Sequence, residues 1–243
     1  WLDFVGQNEE GYLFCQRGGM RSEISQSWLS DRGIQYPRVT GGYKAMRRFL
    51  LNSIDTSCMA LACWVLSGRT GTGKTHLLPT LPRHIDLEQI AGHRGSSFGK
   101  RLGGQPTQVD FEHDLAIQLL KANHENWRGF VVEDESRLIG RRSIPERLFT
   151  TMKGAPIIIL EAPHEERVRQ IVDDYVVSAS KEYRSKLGVE RGWQEFEAAL
   201  HDSLDNIRRR LGDVRHGFIS CCLVEAMTAF RNHGDRAGFE EVV

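Results

Sequence analysis

The chain has 243 residues, enough for one large domain or one and a half ordinary ones, and a core of that size forms without disulfides or metals. Lys and Arg number 32, as do Asp and Glu, so no global positive charge binds nucleic acid and any anion site must come from local clustering. No apolar run approaches the roughly 20 residues of a bilayer span, and five scattered cysteines (Cys15, Cys58, Cys63, Cys221, Cys222) without CxxC or metal-ligand spacing fit a reducing cytoplasm.

The chain opens on Trp1 rather than Met, and its first helix signal follows a strand-like YLF, so a piece of a longer protein, cut at both ends, is expected. Residues 11–15 (GYLFC) read as a short buried strand. After the loop QRGGMR, the run SEISQSWLSDRG reads as a helix closed by Gly33. Residues 34–42 (IQYPRVTGG) read as another short strand ending in a double-glycine turn, and YKAMRRFLLNSI as a basic amphipathic helix. A soft boundary is expected near 53–58, giving units 1–55 and 56–243.

The second unit begins with CWVLSGRTGTGKTHLL, an apolar strand, a glycine loop and a helix. Two further apolar strands, FVVED at 130–134 and PIIILE at 156–161, follow, with the helix-like FEHDLAIQLLKA at 111–122 before the first of them. That alternation predicts an α/β fold with a parallel sheet and helical crossovers. Beyond Pro163, Val168, Ile171, Val172, Tyr175, Val176 and Ala179 keep helical spacing. Phe196, Leu200, Leu204, Ile207 and Leu211 mark one more long helix, and the last thirty residues, ending in FEEVV, carry little pattern.

Two loops carry chemistry. Gly68-Arg69-Thr70-Gly71-Thr72-Gly73-Lys74-Thr75 fits G-x-x-x-x-G-K-[ST] between a strand and a helix. Its glycines let backbone N–H groups curl around phosphate oxygens, the helix N-terminus adds positive potential, Lys74 supplies a point charge and the Thr75 hydroxyl suits a magnesium ion. Any diphosphate-bearing ligand satisfies such a loop. Asp134 and Glu135 close the strand GFVV, where a metal-coordinating acid or a base would sit; the bland alternative is a solvated strand end. The second loop is Cys15-Gln16-Arg17-Gly18-Gly19-Met20-Arg21, a C-x5-R pattern at a strand end and helix start. Inward amides, the helix dipole, Arg17 and Arg21 are expected to lower the thiol pKa and make Cys15 a reactive thiolate. Rhodanese-type sulfurtransferases and cysteine phosphatases share this geometry; Phe14 stands where phosphatases carry His, which favours chalcogen transfer.

Cationic and hydroxyl groups in His93-Arg94-Gly95-Ser96-Ser97-Phe98 suit phosphate and base contacts, against the plain reading of a surface loop. Arg137, Arg141 and Arg142, with the runs Arg47-Arg48 and Arg208-Arg209-Arg210, form candidate stretches of an RNA-tracking stripe.

The conjunction of LFCQRGGMRS, GGYKAMRRFL, SGRTGTGKT, DLEQIAGHRGSSFG, VVEDESRLIG and LEAPHEERV, in that order, resembles the tRNA 2-selenouridine synthase family over nearly the whole chain. The resemblance implies the last part of a rhodanese-like α/β domain followed by a P-loop NTPase-like parallel-sheet domain with a helical C-terminal region. It implies replacement of the sulfur of wobble 2-thiouridine by selenium from selenophosphate, through an S-geranylated intermediate made from geranyl diphosphate. Cys15 would serve the selenation step, Gly68 to Thr75 would hold the diphosphate, and the basic runs with the HRGSSFG segment would bind the anticodon arm. Both small molecules are substrates, so no tightly bound cofactor is expected; magnesium is an option, and an enzyme supplying selenophosphate is a conceivable partner. Three rivals make different demands. A P-loop kinase or NTPase with a rhodanese-like appendage needs Lys74 but not Cys15. A thiosulfate sulfurtransferase needs Cys15 but not the P-loop. A non-catalytic tRNA-binding module needs neither.

Overall fold

The computed structural model describes residues 1–242; Val243, the last of FEEVV, lies outside the described residues. The chain begins with a short helix α1 (Leu2–Gln7) and then α2 (Met20–Ser30), which stops before Gly33 in the left-handed region at φ +76°. The strands expected at 11–15 and 34–42 do not form. Only Leu13 and Arg38 make a parallel bridge, through Leu13 N–H to Pro37 O and Val39 N–H to Leu13 O at 2.8 Å each. Pro37 has no N–H to extend a ladder, and the Gly41-Gly42 turn ends the segment four residues on. Val5, Leu13, Leu29 and Tyr36 form a small core of their own, while Trp1 and Trp28 are about 60% exposed (62% and 60%).

Helix α3 (Gly42–Ala60) runs without a break through the expected boundary and passes by the single residue Leu61 into β1 (Ala62–Ser67). After β1 come the phosphate-loop helix α4 (Lys74–Leu77), a 3-10 turn at Leu78–Thr80, α5 (Leu87–Ala91), α6 (Gln108–His124) and β2 (Gly129–Glu133). A hairpin of β3 (Leu138–Ile139) and β4 (Arg142–Ser143), then α7 (Glu146–Lys153) and β5 (Ile157–Ile159), complete this layer. The sheet order is β2-β1-β5, both pairings parallel, as the alternation of elements predicts. Helix α6 starts at a capping box in which Thr107 and Asp110 satisfy each other's backbone N–H groups. Its Phe111, Leu115, Ala116 and Leu119, all fully buried, then pack with Phe130 and Val132 of β2 and Val65 of β1. By contrast β5 lies on a sheet edge with all three isoleucines exposed.

Directions within this layer decide where the loops lie. Arg47 Nη2 donates to Glu112 Oε2 at 2.6 Å near the start of α3 and α6, and Asn123 Nδ2 to Ser57 Oγ at 2.6 Å near their ends, so the two helices run parallel. The segment after β2 returns to the start of α6, where Gln105 and Gln108 bond Ile139 and Ser143. Both helices therefore begin at the carboxyl end of the strands.

A second core belongs to the C-terminal helices. Helix α8 (His164–Val172) passes through a π turn at Asp173–Ser178 into α9 (Ala179–Leu187), followed by α10 (Val189–Asn206), α11 (Arg208–Leu211), α12 (Asp213–His233) and a 3-10 turn at Ala237–Glu241. Trp193, Phe196, Leu200 and Leu204 of α10 are buried at helical spacing against Leu223, Ala226, Met227 and Phe239. Two expectations are corrected here. The helix expected through Leu211 ends at Asn206, after the poor helix formers Asp205 and Asn206. The weakly patterned tail is mostly the 21-residue α12, opened by Gly212 at φ +79° and burying only Leu223, Ala226 and Met227, too narrow a stripe to read as a period. No helix among the described residues is long and apolar enough to cross a membrane.

Candidate functional site

The phosphate loop leaves β1 at Gly68, whose φ of +152° and approach to Leu160 O (2.5 Å from an ideal Cβ) leave no room for a side chain. Lys74 opens α4 after Gly73, in the left-handed region at φ +87°. Its ammonium donates to Gly68 O and, at 3.2 Å, to Arg69 O, spanning the loop's own carbonyls. Burial lowers the Lys74 pKa, opposed by Glu88, Glu135, Asp134 and Glu133. A polar cavity of about 240 Å³ lies over the loop, and its walls include Thr70, Gly71, Thr72, Gly73, Thr75, Glu88, Arg94, Ser96, Asp134 and Glu135. The P-loop, the acidic strand end and part of the HRGSSFG segment thus share one space. Arg69 faces a neighbouring cleft bounded by Ile159 to Pro163.

The acidic wall is differentiated. Asp134 accepts from Ser67 Oγ at 2.7 Å and is exposed. Glu135 is buried against the Gly95 backbone, and burial and then the Glu88 carboxylate hold its proton above the carboxylate range. Glu88 is tied by Gly95 N–H at 2.6 Å and by Thr75 Oγ1 at 3.5 Å, which brings it against the loop itself. Behind it, Glu133 is 2% exposed and accepts from Leu87 N–H at 3.0 Å, while its other oxygen has no donor among the described residues. Burial and the nearby Asp86 push the Glu133 pKa up. Thr75 with Glu88, Asp134 and Glu135 is a hard-oxygen set suited to a divalent cation, although no group of three His, Cys, Asp or Glu ligands is preformed among the described residues.

The Cys15 loop is built separately, at the start of α3. Cys15 Sγ lies 3.3 Å from Ser22 Oγ. The Ser22 hydroxyl first, then the N–H groups of Ser22, Arg17 and Gly19, bring its pKa down to about 6. The pKa is lowered as the loop pattern predicts, but by other groups. Arg17 contributes an amide, and the guanidinium groups of Arg17 and Arg21 are exposed and make no hydrogen bond to the loop among the described residues. The arginine that braces the loop is Arg38, which donates to Gly18 O and pairs with Glu23 at 3.2 Å. Beneath the loop, Tyr43 and Lys44 N–H of α3's first turn donate to Cys15 O (3.0 Å) and Gln16 O (3.1 Å).

The remaining basic candidates disperse. His93 is half-buried, its pKa lowered by burial, and Ser97 accepts from Arg210 at 3.4 Å. Arg137 pairs with Glu146 beside the Phe149 ring, and Arg141 and Arg142 lie on the β3–β4 hairpin, none of the three lining the phosphate cavity. Sequence reasoning left Ser22, Asp174 and Tyr175 unassigned. Ser22 had a signal, since it opens the helix that follows the Cys loop, whereas the π turn carrying Asp174 and Tyr175 has no sequence signature.

A P-loop between a central parallel strand and a helix, opposite an acidic strand end, defines a P-loop α/β protein. The particular branch follows from its relatives: the chain belongs to the tRNA 2-selenouridine synthase AAA-domain family, whose model matches residues 61–243. It is 46% identical over 238 residues to a tRNA 2-selenouridine synthase of Marinobacter nauticus, covering 98% of this chain and 65% of that protein. A protein of the same name from Pseudomonas syringae pv. tomato is 50% identical over 216 residues (89% of this chain, 59% of that protein). One from Aeromonas salmonicida is 45% identical over 234 residues (96% and 63%). The chain thus spans less than two thirds of the length of these relatives. No solved structure matches it.

Proposed function

We propose that this chain carries both reaction centres of a tRNA 2-selenouridine synthase. In this reading residues 1–55 are the last part of a rhodanese-like unit and 56–243 the P-loop unit. The Gly68–Thr75 amides and Lys74 hold the diphosphate of geranyl diphosphate. The sulfur of wobble 2-thiouridine attacks the first carbon of the geranyl group, the carbon–oxygen bond breaks, and diphosphate leaves with the electron pair into that cradle. Selenium of selenophosphate then attacks C2 of the uracil ring, the carbon that bears the geranylthio group. Geranyl thiol departs with the electron pair of the C–S bond and a proton, a far better leaving group than sulfide, and water cleaves the Se–P bond to release phosphate; Cys15 serves this second step. Magnesium, where used, would be held by Thr75 with Asp134, Glu135 or Glu88 and would neutralise diphosphate charge. The anticodon arm would lie across the face between the loops, with His93, Arg94, Ser96, Ser97, Arg137, Arg141 and Arg142 as candidate contacts. A partner supplying selenophosphate fits the same scheme.

The observation that carries the reading is that a low-pKa thiol and a phosphate loop open at the same end of one α/β layer. Its test is expression of the complete protein, with Cys15→Ala and Lys74→Ala, in cells lacking the activity, with tRNA nucleosides read by mass spectrometry. Wild type should make 2-selenouridine, Cys15→Ala should stop at the thio or geranyl form, and Lys74→Ala should fail to geranylate. Unmodified 2-thiouridine in the presence of folded wild-type protein would refute the assignment.

A further inference from the structure

Beside the phosphate cavity lies a second one of about 450 Å³. The two are continuous at the loop, sharing Thr70, Ser96 and Tyr175 in their walls. Away from that junction the second cavity is mostly apolar, bounded by Ile171, Val176, Leu200, Ile207, Leu211 and Phe239. Its polar lining there, Ser97, Arg167 and Arg210, is already engaged, Arg167 with Thr70 O and Arg210 with Ser97. The apolar side chains come from α8, the π turn, α10, the residue after it, α11 and the last 3-10 turn, a region in which the sequence singled out only the Arg208–Arg210 run. The junction is fixed. The extra residue of the π turn sets Tyr175 at the mouth, where the Arg94 guanidinium lies 5.3 Å from the ring centroid and donates to Asp174 O at 2.6 Å.

We infer that this cavity binds the hydrocarbon tail of the ligand whose diphosphate rests on the P-loop, and that the C-terminal helices are its tail-binding wall. The inference rests on the diphosphate assignment above. A purine in the same place would bury ring nitrogens and an amine against a mostly aliphatic wall whose Arg167 and Arg210 already hold Thr70 and Ser97, whereas a linear alkenyl chain asks only for apolar contact. The size agrees. An apolar cavity of about 150 Å³ takes the six carbons of benzene, or roughly 25 Å³ per carbon, so a ten-carbon tail needs roughly 250 Å³.

The test is calorimetric titration of the 243-residue chain with inorganic pyrophosphate, dimethylallyl diphosphate, geranyl diphosphate and ATP, repeated on Ile207→Trp and Leu211→Gln. These two positions line the cavity away from the loop, and circular dichroism and thermal melts report whether each variant keeps the fold. Each buried methylene is worth up to about fourfold in affinity, so geranyl diphosphate should bind at least about 30-fold tighter than pyrophosphate, with the five-carbon ligand between them. Ile207→Trp should remove at least about tenfold of the geranyl gain while leaving pyrophosphate affinity unchanged. Equal affinities for pyrophosphate and geranyl diphosphate would overturn the tail site while leaving the diphosphate assignment standing. Tight geranyl binding indifferent to both variants would also overturn it, as would ATP binding tighter than geranyl diphosphate. Absence of any pyrophosphate binding would remove the diphosphate assignment itself, and the tail site with it.

Discussion

Cys15 owes its acidity to a hydroxyl and three amides rather than to a nearby positive side chain. Alkylation by iodoacetamide, followed by mass spectrometry of the Cys15 peptide, should show a midpoint near pH 6. Ser22→Ala should move that midpoint up by at least about one unit, because the largest contribution is lost. Cys58 and Cys63, pushed up to about 11 and about 12 by burial, should stay unmodified under the same conditions. A second residue-scale effect concerns Glu133. Its carboxyl stays protonated in the folded chain, whereas in the unfolded chain it ionises near 4.5. The folded state therefore holds the extra proton, so this contribution is fully present below pH 4.5 and is lost as pH rises toward the folded value. Glu133→Gln removes that proton, so thermal melts between pH 5 and 8 should show a shallower decline than wild type. The difference is bounded by about 1.4 kcal/mol per pH unit.

At the scale of elements, α3 is the piece that joins the two reactive loops. Its N-terminal glycine pair lies under the Cys15 loop, and a Cβ on Gly42 would come within 2.0 Å of Cys15 O and 2.3 Å of Gly18 N, at a φ of +59°. Gly42→Ala should therefore displace the loop, costing roughly 1–3 kcal/mol locally and returning the Cys15 alkylation midpoint toward that of an ordinary thiol. The far end of α3, buried with α6 and β1, should keep its hydrogen-exchange protection. Helix α6 packs beside α3 in the same core against the sheet. Leu119→Ala, at a fully buried position, should lose about 2–5 kcal/mol in urea titrations, which would separate the structural face of the domain from its reactive one.

Across the whole molecule, the proposed scheme gives one RNA two chemical steps without changing faces. Helix α3 has 19 residues, about 28 Å of rise, and β1 returns six residues, about 20 Å. The Cys15 loop accordingly lies at about the level of the P-loop or slightly beyond it. The complete enzyme should then convert a bound thiolated RNA to the seleno form even when excess unlabelled S-geranylated RNA is added after the first step. A mixture of Cys15→Ala and Lys74→Ala proteins should be sensitive to that competitor, since the intermediate must change hosts. Nucleoside analysis of the labelled RNA reads both outcomes.

The amino-acid sequence determined the P-loop, the strands beside it and the body of helix α6, because each rests on local pattern: a glycine turn, apolar runs, helical spacing. It could not determine what required neighbours distant in the chain. Arg38, rather than Arg17 or Arg21, braces the Cys15 loop because the Leu13–Arg38 bridge brings it there. Residues 11–15 and 34–42 carry strand-like patterns but make only that one bridge among the described residues, since Pro37 cannot donate to extend it. Glu88 reaches Thr75 through the placement of α5, and the π turn that puts Tyr175 between the two cavities breaks no sequence rule. The tail cavity itself is a property of packing alone: its walls come from helices that bury their apolar stripes on one another and leave the space between them beside the phosphate loop.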